Sequence, residues 1–478
     1  MAASAAHAEG TPPLSATTRR VAWIVSAVFF IEQLDATIIA PALPEMAADL
    51  GTDAVALSAA ITAYLLGLTV LIPLSGRLAD RYGDRRVFTL AILAFLASST
   101  ACGLAQDAAV LIGLRFVQGL AGALMAPIGR LIVLRKADTH ELVEAMALVI
   151  LLAMIAPMVG PFLGGLLTTY LGWRWIFWVN IPLCLATLLL VWRFLPAQPG
   201  RPGARFDALG AGLTGLGFAG VVYGLMLLGE RGAAAGTWRL AVAALVGGVL
   251  LLAIYAHHAR RHPEPVLALA LLSIASFRDA MAGSTLFRIA VGGVPFLLPL
   301  MLQESYGYSP LAAGLIVLLP AAGGFAMKFF STRLLRRLGY RAGLLLHGLL
   351  TALCLALAAA LDPREAFIIY VMALFGFGWA RSLQMNAYGT LAYADVDKRK
   401  LASATSFFLS VQNLSVALGV ALTAVLLRAL ETLGDAAARH SHLWTALILS
   451  ALCLLSALLC VSMPAGAGGH LLARTPRS

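Results

Sequence analysis

Residues 57–105 read LSAAITAYLLGLTVLIPLSGRLADRYGDRRVFTLAILAFLASSTACGLA. Two uncharged apolar runs, 57–76 and 87–105, flank ten residues that carry Arg77, Arg81, Arg85 and Arg86. The hydrocarbon core of a bilayer takes about 20 apolar residues as a helix. A lone segment can satisfy its backbone N–H and C=O groups in lipid only by coiling into one. This stretch is therefore a pair of membrane-crossing helices joined by a short basic turn.

The pattern repeats along the whole chain. Similar runs fall near 21–40, 109–130, 143–168 and 175–195, then near 208–228 and 239–256. Six more fall near 279–302, 310–330, 342–361, 366–390, 401–427 and 443–463. The 478 residues are 60% apolar and 12% charged, against about 45–50% and about 25% in soluble domains. Such a chain lacks the material for a solvated surface, and soluble, disordered and collagen-like classes are excluded. The fold class is an all-α polytopic membrane protein of about fourteen spans. Polar stretches at 197–207 and 257–266 divide it into a six-helix bundle (21–196), two extra transmembrane helices with linkers (197–266) and a second six-helix bundle (267–463). Tails at 1–20 and 464–478 complete it; with Glu9, Pro12 and Pro13 and no apolar core, the first reads as a polar tail rather than a cleaved signal.

The net charge of +11 is a matter of position. Of the 34 Lys and Arg, 24 gather at the tails and in alternate connections, among them Arg130, Arg135, Lys136, Arg333, Arg336 and Arg337. The intervening connections hold Arg174, Arg231, Arg239, Arg364, Arg428 and Arg439. This is the positive-inside bias, and it places both termini in the cytoplasm of a plasma (bacterial inner) membrane. Nucleic-acid binding is not needed to explain the charge. Cys102, Cys184, Cys354, Cys453 and Cys460 lie in apolar runs and form no C-x-x-C pair; they read as packing residues, with no metal site. No metalloprotease, nucleophile-elbow or phosphate-loop motif is present, so the chain reads as no enzyme, needs no cofactor and does not hydrolyse ATP. Two six-span halves are the layout of secondary transporters built from repeats.

Four segments carry a more specific signal. GRLADRYGDRR (76–86) has the G-x-x-x-D-R-x-G-x-R spacing through Gly76, Asp80, Arg81, Gly83 and Arg85, with Arg77 beside it. Its two glycines predict a tight turn and close helix approach. LIGLRFVQGLAGA (111–123) holds Arg115, Gln118, Gly119 and Gly122 within a span. APMVGPFLGG (156–165) holds Pro157, Gly160, Pro161, Gly164 and Gly165, and WRWIFWVNIP (173–182) opens the sixth span. Together with IEQLDATIIAPALP (31–44), these resemble the signature loop, fourth-span motif, fifth-span antiporter motif, sixth-span entry and first-span motif of the major facilitator superfamily, in its fourteen-helix drug:proton antiporter branch. The resemblance covers nearly the whole chain. It departs at Ala156, where the antiporter motif usually has Gly. It fades in the second half, where aligning Gly339 with Gly83 puts Arg336 at the place of Asp80.

An ionised side chain at the bilayer centre costs about 2.5–3.5 kcal/mol, yet Glu32, Asp35, Arg115, Arg288, Lys328 and Arg381 lie in or near spans. Lys328, near the basic end of its span, fits a snorkelling side chain. The deeper charges require a partner, water or a cavity. Glu32 and Asp35 are three apart, on one helix face, and two close carboxylates raise each other's proton affinity. They are the expected proton-coupling residues with Arg115: Asp35 carrying the proton, Glu32 modulating it, and a cationic or polar substrate competing for the same charge. The competing reading is a structural ion pair between Asp35 and Arg115 or Arg381. Gln33, Thr37, Gln118, Arg288, Arg381, Gln412 and Asn413 are the expected substrate-cavity residues, and Gly76, Arg77, Asp80, Arg81 and Gly83 the expected gate.

The resemblance implies export of small amphipathic compounds in exchange for protons by alternating access, with a small-molecule substrate, protons and the lipid bilayer as partners. A periplasmic adaptor is neither required nor excluded. Symport of a defined metabolite and a transport-dead sensor are the alternative readings; the absence of a large soluble output domain argues against the second.

Overall fold

A computed structural model describes residues 14–138, 141–196, 200, 207–229, 235–263, 265–397, 400–433, 435, 438 and 440–463. Arg201, Arg205, Arg231, Lys398, Arg399, Arg439, Arg474 and Arg477 lie outside the described residues, as does most of the 197–207 linker.

Every membrane crossing is helical. The first six helices are α1 (Ala16–Ile38), α2 (Ala59–Tyr82), α3 (Asp84–Gly103), α4 (Ala108–Lys136), α5 (Leu142–Leu171) and α6 (Trp175–Phe194). The extra pair is α7 (Ala208–Leu228) and α8 (Ala235–Ala259), followed by α9 (Ala275–Glu304). A 51-residue helical stretch, Pro310–Ala360, is broken at Gly339, where φ 74° and ψ 170° are not helical. It supplies two crossings, α10 (310–338) and α11 (340–360). The last three are α12 (Phe367–Leu391), α13 (Leu401–Thr432) and α14 (Ser441–Leu459). Among the described residues thirteen stretches are long and apolar enough to cross a membrane, and the Gly339 break raises the passes to fourteen. An even number returns the chain to the side on which it started.

The sequence shows why helices start where they do. Asp107 and Asp207 accept hydrogen bonds from the amides of Val110 and Gly210 at 2.8 Å, and Ser309 accepts one from Ala312 ahead of Pro310. These are N-caps, satisfying donors that a helix start leaves open. Several helices outrun the expected spans. α2 continues through Arg77–Tyr82 and α10 through Arg333 and Arg337, because a helix entering water keeps its own hydrogen bonds. Reversal is left to one residue in each half. Gly83 has φ 89° and Gly339 φ 74°, a region that favours glycine. The two glycines aligned from sequence are thus the same turn in the two halves. Gly76, in contrast, has open space where a Cβ would stand, so the close approach expected there is absent. α1 ends where Pro41 turns the chain into a short 3-10 segment before a helix at Leu43–Asp49.

Within the first half α2 packs on α4, and α1 on α5. Across the halves α5 meets α10, and α2 meets α13. α7 pairs with α8 through close glycine contacts (Gly217, Gly220, Gly248) and also lies against both α2 and α13. The extra pair therefore covers one seam between the bundles.

Candidate functional site

Gly119 lets α2 and α4 nearly touch. A Cβ there would stand 2.1 Å from the Tyr64 carbonyl oxygen, so only glycine permits the crossing. One turn earlier on α4, Arg115 is wholly buried and its guanidinium lies 4.3 Å from the centre of the Tyr64 ring. Its Nη1 donates to Asp35 Oδ2 at 2.6 Å and to Gln118 Oε1 at 2.9 Å. Asp35 Oδ1 accepts from Gln118 Nε2 and Asn180 Nδ2, each at 2.9 Å, and Asn180 also donates to Ser99 Oγ. The Asp35–Arg115 pair anticipated from sequence is present, inside a network that draws on α1, α3, α4 and α6. Tyr64, Ser99 and Asn180 were not singled out. Asn180 had a signal, as an amide inside the apolar run WVNIP, whereas a serine or tyrosine in a span carries none.

Glu32 lies one turn before Asp35, is 7% exposed, and its Oε2 is buried without a hydrogen-bond partner. Gly122 flanks it; a Cβ there would come within 3.3 Å of Tyr64 Oη and 3.9 Å of Glu32 Cγ. Arg115 Nε and Nη2, Asn180 Oδ1 and Tyr64 Oη are also buried without partners. Buried polar groups are normally satisfied, so this cluster can change its hydrogen bonding when a proton arrives.

Between the halves lies a cavity of about 460 Å³, walled by α1, α2, α5, α9, α10, α12 and α13. Gln33, Thr37 and Arg381 line it as expected, together with Tyr64, Lys328, Ser382 and Asn386 on an otherwise apolar wall. Pro157 and Pro161, both within α5, also line it. Four of the expected residues are not on this wall. Gln118 belongs to the Asp35 network, and Arg288, Gln412 and Asn413 lie off the wall, Arg288 reaching Ser284 Oγ at 3.3 Å. Asp35 and Glu32 are off it as well, so a substrate in the cavity meets Tyr64 rather than their charge. Direct competition for Asp35 has no path in this state. Thr37 Oγ1 is bonded back to Gln33 O, and Gly160 packs on it.

The halves close on one another at the end opposite the basic turns. A Cβ at Gly165 would stand 2.3 Å from Pro310 O, and one at Gly314 2.4 Å from Pro161 O. Gln303 Nε2 donates to Pro41 O at 3.0 Å, and Arg428 pairs with Asp53. Gly164 instead packs on Ile38 O within its own half. At the basic end Asp80 pairs with Arg135 of its own half at 2.5 Å, Arg135 reaches Asp84 at 3.5 Å, and Arg81 stacks on Tyr82. Among the described residues, these contacts of Asp80 and Arg81 thus stay within the first half.

Two helical bundles around a central cavity, closed at one end, are the architecture of an alternating-access secondary transporter. The chain belongs to the Major Facilitator Superfamily, whose pattern matches residues 25–420 and 280–468; it is a membrane transporter and not an enzyme. It is 35% identical over 455 residues to the "Putative multidrug resistance protein MdtD" of Yersinia enterocolitica, covering 93% of this chain and 95% of that one. It is 32% identical to the "Probable transport protein HsrA" of Haemophilus influenzae over 409 residues, 86% and 88% of the two chains. Among solved structures it shares its fold with the POT family transporter PepTSo (TM-score 0.69, 14% identity, 94% and 98% covered). A D-xylose-proton symporter matches similarly (TM-score 0.65, 13% identity, 94% and 98% covered).

Proposed function

We propose that this transporter exports small amphipathic compounds in exchange for protons, as a multi-pass protein of the bacterial inner membrane with both termini cytoplasmic. The observation that carries the reading is the buried Asp35–Arg115 pair with Glu32 beside it, whose Oε2 is buried without a hydrogen-bond partner, one tyrosine away from a largely apolar cavity. The relatives named for multidrug resistance support the direction of transport. With the basic end in the cytoplasm, the closed end is periplasmic and the cavity belongs to the inward-facing state.

A proton reaching this cluster would neutralise a carboxylate and free Arg115 from Asp35. That rearranges the α1–α4 contact that supports Tyr64 on the cavity wall. Substrate and proton are then coupled through conformation rather than through a shared charge. In this scheme Asp35 carries the coupling proton, Glu32 modulates it and Arg115 is the counter-ion. The two six-helix units, 21–196 and 267–463, rock about the cavity while the 197–266 pair rides on their seam. Asp80 holds the cytoplasmic ends together in the opposite state, trading Arg135 for a partner in the second half.

Proteoliposomes preloaded with an amphipathic dye and a lumenal pH indicator test it. Dye leaving the lumen should draw protons in and acidify it. Lumenal alkalinisation would show symport, and dye flux with no pH change would remove the proton.

A further inference from the structure

We infer that the cargo is an organic anion, an amphipathic molecule whose carboxylate or sulfonate is held by Arg381 with help from Lys328. This deepens the export reading and rests on it. The two are the only charged side chains on the cavity wall among the described residues, and both are cationic. Neither side chain has an ion-pair or hydrogen-bond partner among those residues; the recorded contact of Arg381 is the Phe377 ring, 5.7 Å from its guanidinium. Arg381 is half-buried and Lys328 is exposed, which leaves both open to a ligand. The acids that would attract a cation are elsewhere. Asp35 is 1% exposed, locked to Arg115, and screened from the cavity by Tyr64.

A low-dielectric cavity bearing one sign of charge concentrates the opposite sign. Arg381 offers a planar fork suited to a carboxylate or sulfonate, and the apolar wall takes the rest of the molecule. A monovalent cation would enter against two unbalanced positive charges.

The sign of the cargo fixes the electrical behaviour of the exchange. When a monovalent cation leaves for one entering proton, no net charge moves. For each negative charge that leaves, one further positive charge has in effect entered, in addition to the proton. Anion export is thus driven by a membrane potential even without a pH gradient, since an inside-negative potential expels the anion and draws in the proton.

The test uses the full chain in proteoliposomes at equal internal and external pH, with a potassium-valinomycin potential and two probes, carboxyfluorescein and ethidium. Carboxyfluorescein should move with protons in step with the potential, and ethidium at less than about a tenth of that rate. A charge-assisted hydrogen bond lost from a binding site weakens affinity about tenfold or more. Arg381→Gln should therefore raise KM for carboxyfluorescein by at least that factor, with Arg381→Lys restoring part of it and Lys328→Gln costing less. Proton-coupled ethidium transport that Arg381→Gln leaves intact, without carboxyfluorescein transport, would overturn the anion assignment while export stands. If neither probe moves protons, the export reading fails, and carboxyfluorescein anisotropy on the purified protein still decides the site. Weakening by Arg381→Gln supports it, and equal binding by wild type and variant overturns it.

Discussion

Gly165 and Gly314 provide a state-specific perturbation. A methyl at Gly165 would stand 2.3 Å from Pro310 O, and one at Gly314 2.4 Å from Pro161 O, where ordinary contact begins at 3.4 Å. α5 and α10 must then part by roughly 1 Å at the closed end, a degree of overpacking that costs about 1–3 kcal/mol. The penalty applies only while α5 and α10 meet there, so a state open at this end would relieve it. Gly165→Ala should thus shift the conformational equilibrium by about 5- to 150-fold toward opening at this end. Gly164 is the control. Its methyl would stand 2.1 Å from Ile38 O, inside one half, so Gly164→Ala should lower thermal stability in both states without moving their ratio. Spin labels at Leu171 and Ser305, on either side of the closed end, would report a new longer-distance population for Gly165→Ala and Gly314→Ala. An unchanged distance distribution for Gly165→Ala, or an equal shift for Gly164→Ala, would refute the reasoning.

Outcomes at three further sites are expected. Asp35→Asn strands the buried Arg115, and breaking one side of such a pair costs about 3–5 kcal/mol, so membrane abundance should fall. Adding Arg115→Gln should restore abundance but not proton-coupled transport, and Glu32→Gln should keep abundance while shifting the pH dependence; immunoblotting beside flux separates these effects. Asp80→Asn removes a half-exposed pair worth about 0–1 kcal/mol, so melting temperature and ligand binding should hold while transport is lost; equal loss of binding would put Asp80 in the fold or the cavity. Glu141 accepts hydrogen bonds from the Ser15 amide at 2.6 Å and the Thr18 hydroxyl at 2.7 Å, and these pull its carboxyl down to about 2. With its acidity increased on folding, its stabilising effect is present above the usual carboxylate value and lost as pH falls through about 2. Pepsin should cut near residues 14–18 at pH 2 but not at pH 4.

Much of the fold was legible because the bilayer acts on a simple quantity. A run either reaches about 20 apolar residues or it does not, and each of the fourteen did. Helix ends were less legible. Arg77, Arg81, Arg333 and Arg337 read as loop, but α2 and α10 carry them on as helix until Gly83 and Gly339 reverse the chain. Charge marks where lipid ends, and the helix ends only where the backbone must leave its hydrogen bonds. The Asp35–Arg115 pair could be anticipated because a deep charge needs a partner. Ser99 carries no such signal, and Asn180 shows only as an amide inside an apolar run, since nothing local tells which spans will stand beside α1.

The cavity wall was harder to read, and α1 shows why. Gln33, Ala36, Thr37 and Ala40 face the cavity, at the i, i+3, i+4, i+7 spacing of one helical stripe. Glu32 and Asp35 lie on the neighbouring stripe, turned toward α4. About 100° of rotation per residue separates the two stripes, so a one-residue difference decides whether a carboxylate meets the substrate or the helix behind it. Both stripes mix polar and apolar residues, and the sequence does not mark which one faces the cavity. That choice is made by Gly119 and Gly122, whose missing side chains draw α2 and α4 together around Tyr64 and give the acids a buried arginine to face. With the acids turned away, the sign of the cavity passes to Lys328 and Arg381 in the second half. Moving Glu32 and Asp35 to positions 33 and 36 would exchange the stripes and should turn a site suited to anions into one suited to cations.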